Sequence, residues 1–373
     1  MHVAIIGAGL GGLGLAHRLL REGFDIAIYE RDDGIEARWQ GYRIGFNSSG
    51  LAALHRAVPT RLHPLLDAVS GALEGPGRVI DPQLNPLGEI ESHDEGRVFD
   101  RNVLRHLLFT GLTDNLHFGM KLDHYQEMPD DRVRLTFADG TTTTADVVVG
   151  ADGMGSTVRR QLLPDIRVHD LGIYGAIGRT PMTDRFAALV PGRGTIVTTP
   201  DAQLMLGTMA FQRPPIRAAA ELAPDASLPD TPDYVRWVLM LPGTVPEDAE
   251  LQPALDLMAD WHPDLRELIR QADAANSGIG PIREGDPVHP WPTRAVTLLG
   301  DAAHPAPPGG LGANLALTDG DLLCGKLTEV CHGRTDLISA LSDYERRMCD
   351  HAAVGRATAA RTFATFAELR AES

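Results

Sequence analysis

Val3-Ala4-Ile5-Ile6-Gly7-Ala8-Gly9-Leu10-Gly11-Gly12 opens the chain, and Phe24-Asp25-Ile26-Ala27-Ile28-Tyr29-Glu30 follows one helix-length later. Val3 to Ile6 is short, apolar and stopped by glycine, the pattern of a strand covered on both faces. From Leu10 to Arg21 leucines recur at 10, 13, 15, 19 and 20, which predicts a helix with one side on a sheet. Gly23 stands near the usual C′ position, and Phe24 to Tyr29 is β-prone again. The reading is a βαβ unit. Gly7, Gly9 and Gly12 make its turn a GxGxxG. Gly7 permits the tight turn, Gly9 lets the backbone approach a pyrophosphate, and Gly12 lets helix and strand pack closely. The helix start at Leu10 supplies free N–H groups and a partial positive charge for a diphosphate. Glu30 closes the second strand eighteen residues after Gly12, where a carboxylate accepts hydrogen bonds from ribose hydroxyls and disfavours a 2′-phosphate. The expected ligand is FAD or NAD rather than NADP.

Two more strand-to-turn segments follow the same plan. In Val147-Val148-Val149-Gly150-Ala151-Asp152-Gly153-Met154-Gly155-Ser156, a buried strand delivers Gly-Ala-Asp-Gly into a turn, and Ser156 can cap the next helix. In Leu298-Leu299-Gly300-Asp301-Ala302-Ala303-His304, a third strand ends in Gly-Asp, and a proline-glycine loop runs on through Pro307 and Gly310 to Asn314. Asp301 is placed to accept hydrogen bonds from a polyol. A helix starting near Gly312 aims backbone N–H groups at an anion.

Between these segments the texture changes. Asp100 is read as the N-cap of a helix from about Arg101 to Leu112. Residues 60–100 are expected to hold short strands and loops. Residues 116–150 read as a small antiparallel meander turning at Asp139-Gly140. Alternating segments between 165 and 290 predict a second sheet, with a helix from about Leu251 to Ala272, and the chain is mainly helical from Asn314 to Ala371. The expected fold is α/β. Residues 1–75, 97–164 and 290–373 would form a Rossmann-like nucleotide-binding domain with C-terminal helices. Residues 76–96 and 165–289 would form an inserted, mixed β-sheet substrate domain.

The chain has 373 residues, which suits about two domains of ~150 residues or one elaborated α/β domain. Its 34 Lys and Arg against 50 Asp and Glu give a formal charge of −16, which repels nucleic-acid backbones and anionic membrane surfaces. The apolar stretch Val3 to Ala16 is too short and too glycine-rich to span a bilayer, and no basic segment precedes it as in a signal peptide. Cys324, Cys331 and Cys349 fit no metal or CxxC spacing and read as reduced thiols on helices. The fourteen histidines form no metal-binding pattern. A cytoplasmic monomer or homodimer acting on a small molecule is expected, without nucleic acid, membrane or metal.

The GxGxxG, the mid-chain Asp-Gly and the later Gly-Asp, in this order, resemble the class A FAD-dependent monooxygenases, the group of para-hydroxybenzoate hydroxylase and the tetracycline-modifying flavoenzymes. The resemblance implies FAD as bound cofactor, NAD(P)H as transient co-substrate and O₂. It implies hydroxylation or epoxidation of an aromatic or polyketide-like molecule through a flavin C4a-hydroperoxide. Carried over by position, Gly7, Gly9, Leu10 and Gly12 meet the FAD diphosphate and Glu30 the adenosine ribose. Arg101 contacts the FAD, and Asp152 belongs to a motif serving FAD and NAD(P)H. Asp301 holds the ribityl or diphosphate region. Gly310, Gly312, Ala313 and Asn314, with Pro307 in the same loop, line the isoalloxazine. Arg38, in the excursion after the βαβ unit, is a further FAD contact, with Arg43 a lesser candidate beside it. No motif position supplies a catalytic base. A flavin-dependent dehydrogenase or reductase, and a non-redox flavoprotein with structural FAD, remain alternatives.

Overall fold

The computed structural model describes residues 1–37, 41–90, 96–245, 251–307 and 310–371, the last fourteen of these as backbone only. A five-stranded parallel sheet takes its strands in the order Val296–Leu298, Val147–Gly150, His2–Ile6, Asp25–Tyr29 and Leu116–His117. Its register matters for everything that follows. Ile6 lies beside Gly150, and Gly150 beside Leu298, so three strands end level with one another. The turns that follow them, at Gly7, Ala151-Asp152 and Gly300-Asp301, therefore meet at one carboxyl edge, where ligands bind in open α/β sheets. Helix Leu10–Arg21 covers this sheet with buried Leu13, Leu15 and Leu19. Helix Gly312–Cys331 packs against it, and Gly11 and Gly14 permit the approach: a Cβ on them would lie 3.0 Å from Ala316 Cβ and 2.6 Å from Leu317.

A three-stranded antiparallel meander, Leu122–Glu127, Val133–Phe137 and Thr142–Ala145, turns at Gly140 with φ +84°. A seven-stranded sheet runs in the order Gly278–Gly285, Val168–Pro181, Tyr234–Pro242, Gln203–Met209, Gly194–Thr198, Gly77–Ile80 and Pro86–Ile90. One face of it, with Trp237 and Leu239, is buried against Met258, Trp261, Leu265 and Leu268. Alternation turns Tyr234, Arg236 and Val238 to the other face, together with their partners Met209, Gly207 and Met205. There Tyr234 and Met209 pack on Tyr42 and Val98, which belong to no strand of this sheet. Val98 lies in a small antiparallel sheet of Arg43–Phe46, Gly96–Asp100 and Ser70–Leu73, which thus stands between the two large ones.

Two expectations change. The segment 251–272 is not one helix but two, Gln252–Leu257 and Pro263–Arg270. The residue before a proline avoids helical backbone, and His262 instead takes ψ 137° and caps the second helix. The stretch 60–100 holds, besides its strands, the helix His63–Ala68, with proline in its first turn, where proline is tolerated. No helix among the described residues is long and apolar enough to cross a membrane.

Candidate functional site

The first turn separates glycines that the fold needs from one that it leaves free. A Cβ on Gly7, at φ +109°, would lie 2.4 Å from the Ala151 carbonyl oxygen, and one on Gly12 2.2 Å from the Gly7 oxygen. At Gly9, the N-cap of the first helix, a Cβ would meet nothing within 4 Å. No side chain caps this helix, so its first N–H groups point into that open space. Leu10 itself is buried in the core, and what it can offer a diphosphate is its backbone.

Glu30 is buried beside this turn. Its Oε2 accepts the Ala8 N–H at 2.8 Å, and its Oε1 accepts the Asp32 N–H at 3.1 Å. Arg105, equally buried, donates from Nε to the Ala8 carbonyl at 2.9 Å and from Nη1 to the Ile35 carbonyl at 2.7 Å, and its Nη2 lies 3.8 Å from Glu30. The Ala8 peptide is clamped on both sides. The sequence reading passed over Arg105. A hint was there, since a charged residue in the middle of a helix this apolar must find partners. Arg101 starts the same helix and is half-buried. Its N–H donates to the Tyr42 carbonyl at 3.0 Å, and its side chain passes 3.9 Å from where a Gly41 Cβ would be. Asp100 caps the helix at Val103 and also accepts the Tyr234 hydroxyl at 2.7 Å, and burial pushes its carboxyl above the ordinary range. Arg38 lies outside the described residues.

Asp152 turns inward. Its carboxylate accepts from the Ser156 hydroxyl at 2.5 Å and the Thr157 N–H at 2.6 Å, while Ser156 caps Arg159. Burial raises its pKa against those hydrogen bonds. Its visible work is to shape the turn. Arg159, also passed over, joins that turn to the next: it donates to the Ala302 carbonyl at 2.9 Å and the Asp301 carbonyl at 3.2 Å, and to the Met154 carbonyl at 2.5 Å.

Asp301 behaves differently. Its carboxylate is half-buried, and among the described residues it accepts no hydrogen bond. A Cβ on Gly312, the first residue of helix Gly312–Cys331, would lie 3.2 Å from Asp301 Oδ1. Gly310, at φ +80°, has open space where a Cβ would stand. Pro307 and Ala313 are half-buried in the same loop. Asn314 is fully engaged as a strut: Oδ1 accepts the Asn47 N–H at 3.0 Å, and Nδ2 donates to the Gly45 and Gly310 carbonyls at 3.0 and 2.9 Å. Arg43 extends away from the glycine turn and lies over Gly207 of the seven-stranded sheet.

An unpaired acceptor at Asp301, open glycines at 9 and 310 and two uncapped helix starts form one cradle along the sheet edge. That donor and acceptor set fits a dinucleotide carrying a diphosphate, a polyol and a flat ring.

Comparison with known proteins agrees. Residues 284–357 match the sequence profile of an FAD binding domain, and residues 5–64 that of an NAD(P)-binding Rossmann-like domain. The solved structure of a Photorhabdus luminescens protein, described as an FAD-containing monooxygenase, superposes with a TM-score of 0.81 at 30% identity, covering 96% of this chain and 97% of that one. The dual O-methyltransferase/FAD-dependent monooxygenase CTB3 of Cercospora beticola is 32% identical over 93% of this chain, which spans only 44% of CTB3. The 6-hydroxynicotinate 3-monooxygenase of Pseudomonas fluorescens is 26% identical, over 92% of this chain and 87% of that enzyme. The chain belongs to the class A FAD-dependent monooxygenases. FAD is its cofactor, which closes the choice that the glycine turn and Glu30 left open.

Proposed function

We propose that this flavoprotein uses NAD(P)H and O₂ to add one oxygen atom to an aromatic or polyketide-like small molecule. The observation that carries the reading is the pairing of two surfaces. The cradle at the parallel-sheet edge fits FAD, and the face of the seven-stranded sheet turned towards the small sheet carries Met205, Val238 and Arg236 as a wall for a second, largely apolar molecule. The relatives' names, among them a hydroxynicotinate monooxygenase, support an aromatic ring.

When bound, FAD supplies the redox and oxygen chemistry. The chain's own residues bind and orient. Asp301 and the first N–H groups of helices Leu10–Arg21 and Gly312–Cys331 hold the cofactor's polar parts. The second of those helix starts also stabilises negative charge that develops on the ring beside it. Only one dinucleotide fingerprint exists, so NAD(P)H docks transiently.

The test is NAD(P)H oxidation by the FAD-loaded protein against a panel of aromatic and polyketide compounds under isotopically labelled O₂. Substrate-stimulated oxidation with a product heavier by one labelled oxygen is expected. Anaerobic flavin bleaching by the organic substrate itself, without NAD(P)H, would overturn this in favour of a dehydrogenase.

A further inference from the structure

Asp100 uses both of its carboxylate oxygens. Oδ1 accepts the Val103 N–H at 2.9 Å and caps helix Arg101–Phe109, while Oδ2 accepts the Tyr234 hydroxyl at 2.7 Å. This second partner is 134 positions away, on strand Tyr234–Pro242 of the seven-stranded sheet. Both side chains are buried, each at 1% exposure. A cap alone does not call for a carboxylate. Ser156 caps its helix with a hydroxyl and Asn47 with an amide oxygen, and a buried charge is costly where a neutral group would serve. What the carboxylate adds is a second acceptor oxygen for a donor arriving from the other sheet.

Tyr234 is itself held in place. Its ring lies 6.0 Å from that of Tyr42, and the Arg179 guanidinium sits 5.7 Å from the first ring centroid and 5.9 Å from the second. Arg179 is tied to Asp273 at 3.3 Å. The Tyr42 carbonyl accepts the Arg101 N–H at 3.0 Å. The helix start is therefore fixed by Asp100 and by Tyr42, and both lead to Tyr234. One turn further on, Arg105 donates to the Ala8 carbonyl at 2.9 Å and stands 3.8 Å from Glu30. Residues four apart share a helix face, so a displaced helix start would shift Arg101 and Arg105 together.

We propose that Tyr234 is a positioning residue for FAD. From the seven-stranded sheet it fixes Asp100, and through the helix that Asp100 caps it holds Arg101 and Arg105 against the glycine turn. Tyr234 stands on the same face as Arg236 and Val238, so one side chain joins the substrate wall to the cofactor cradle. This rests on FAD lying along the glycine turn and on that face as the substrate wall, and it needs no oxygen transfer.

Serial dilution of the FAD-loaded protein, with released flavin followed by fluorescence, gives FAD affinity at pH 8 and pH 6. Tyr234→Phe keeps the ring between Tyr42 and Arg179 and deletes only the hydroxyl. Affinity at pH 8 should fall about fivefold, the scale of one buried hydrogen bond. The fall should deepen at pH 6. Burial raises the Asp100 carboxyl, and the Tyr234 hydroxyl opposes this together with the Val103 and Asn102 N–H groups and the Arg179 charge. Without the hydroxyl, Asp100 takes up a proton at higher pH, and acid then removes the negative charge that favours a helix start. Tyr42 and Tyr234 ionise far above this window, and His106 on the same helix, held below its ordinary value by burial, is common to both proteins. Asp100→Asn has one oxygen for two donors, so adding Tyr234→Phe to it should cost little more, and the two losses should not add. Asp100→Ser keeps a cap and drops the link. It should lose FAD affinity about fivefold without deepening at pH 6, and it carries the test if Tyr234→Phe does not fold.

Unchanged FAD affinity in folded Tyr234→Phe, or in Asp100→Ser, would overturn the proposal. So would a loss that is equal at both pH values and adds in full to that of Asp100→Asn, which is what packing alone predicts. The dilution needs no turnover. A linked Tyr234 without oxygen incorporation would sink the proposed function and leave the positioning role standing, and incorporation with an unlinked Tyr234 would do the reverse.

Discussion

His304 Nε2 lies 2.7 Å from Asp319 Oδ2, the oxygen that also accepts the Gly300 N–H at 3.0 Å. One wholly buried carboxylate on helix Gly312–Cys331 thus holds both ends of the Gly-Asp turn. Burial alone would strip the proton from His304, but the charge and hydrogen bond of Asp319, with Asp301 adding to them, leave its pKa raised. A histidine with a raised folded pKa contributes stability that is complete below the unfolded value of ~6.5 and is lost as pH climbs through the folded value. His304→Gln should therefore lower Tm most near pH 6, with the gap to the unmodified protein narrowing towards pH 9. A gap independent of pH in thermal melts would show that the pair is not charged.

Glu345 predicts a separate window on the acid side. Its Oε2 accepts the Thr293 hydroxyl at 2.7 Å at 1% exposure, and burial pushes the carboxyl up from 4.5 to about 7. The sign here is that of a raised acid. The native state keeps a proton that the unfolded chain releases, so stability falls as pH rises from ~4.5 to ~7 and is flat above, by on the order of 3 kcal/mol. Glu345→Gln should remove that slope. Denaturant melts across the window measure it.

The glycines of the first turn can be sorted by experiment. Gly12→Ala places a Cβ 2.2 Å from the Gly7 oxygen, so the apoprotein itself should be destabilised or fail to fold. Gly9→Val puts a Cβ where it meets no protein atom within 4 Å beyond its chain neighbours. It should leave apoprotein Tm nearly unchanged and abolish or strongly weaken FAD retention. Equal damage to the apoprotein at both positions would mean that the open space at Gly9 is not the cofactor's.

The contrast shows what a sequence makes legible. The three strand-to-turn motifs could be read directly because a glycine requirement or a cap is settled within a few residues, as Asp100 with Val103 and Ser156 with Arg159 confirm. Their meeting at one edge follows from strand order, which the motif series implies. The clamps were not legible. Arg105 reaches Ala8 across 97 positions and Arg159 reaches Ala302 across 143; the apolar helix around Arg105 hints that it needs partners, but nothing local says which, and nothing local marks Arg159 at all. The same holds for Asn314, which resembles a loop ligand in sequence and is a strut between loops in the fold.

Glu30 and Arg105 then carry a joint prediction. Glu30→Ala should weaken FAD binding by ~1–3 kcal/mol, the range for losing a hydrogen bond to a charged group. Because Glu30 also holds the Ala8 N–H, Glu30→Gln, which keeps an acceptor, should recover part of that. Arg105→Leu leaves the Glu30 charge buried without its neighbour and should cost ~3–5 kcal/mol of stability. FAD titration and urea melts of the three variants separate the effects. A stable Arg105→Leu with unaltered FAD affinity would remove the clamp from the account.

Asp301 and Gly312 test the other end of the cradle. The Asp301 carboxylate accepts no hydrogen bond among the described residues, so Asp301→Ala costs the fold only the lesser electrostatic support that Asp301 adds to Asp319 at His304. Its effect should fall mainly on FAD affinity, with apoprotein Tm nearly held. Gly312 is different in kind. Its φ is unexceptional, and a Cβ there would come 3.2 Å from Asp301 Oδ1, a contact that a small shift of the carboxylate relieves. Gly312→Val should therefore fold and still bind FAD. Its side chain would stand at the helix start, where backbone N–H groups must come close to the ring and stabilise charge on it. The expected signature is slower anaerobic reduction of the flavin by NAD(P)H, or early release of hydrogen peroxide. If Gly312→Val reduces and turns over at the unmodified rate, the ring does not lie against this helix. The placements of Pro307, Gly310, Gly312, Ala313 and Asn314 beside it would then fall together, while Gly9, Glu30 and Asp301 would still mark the cofactor's other end.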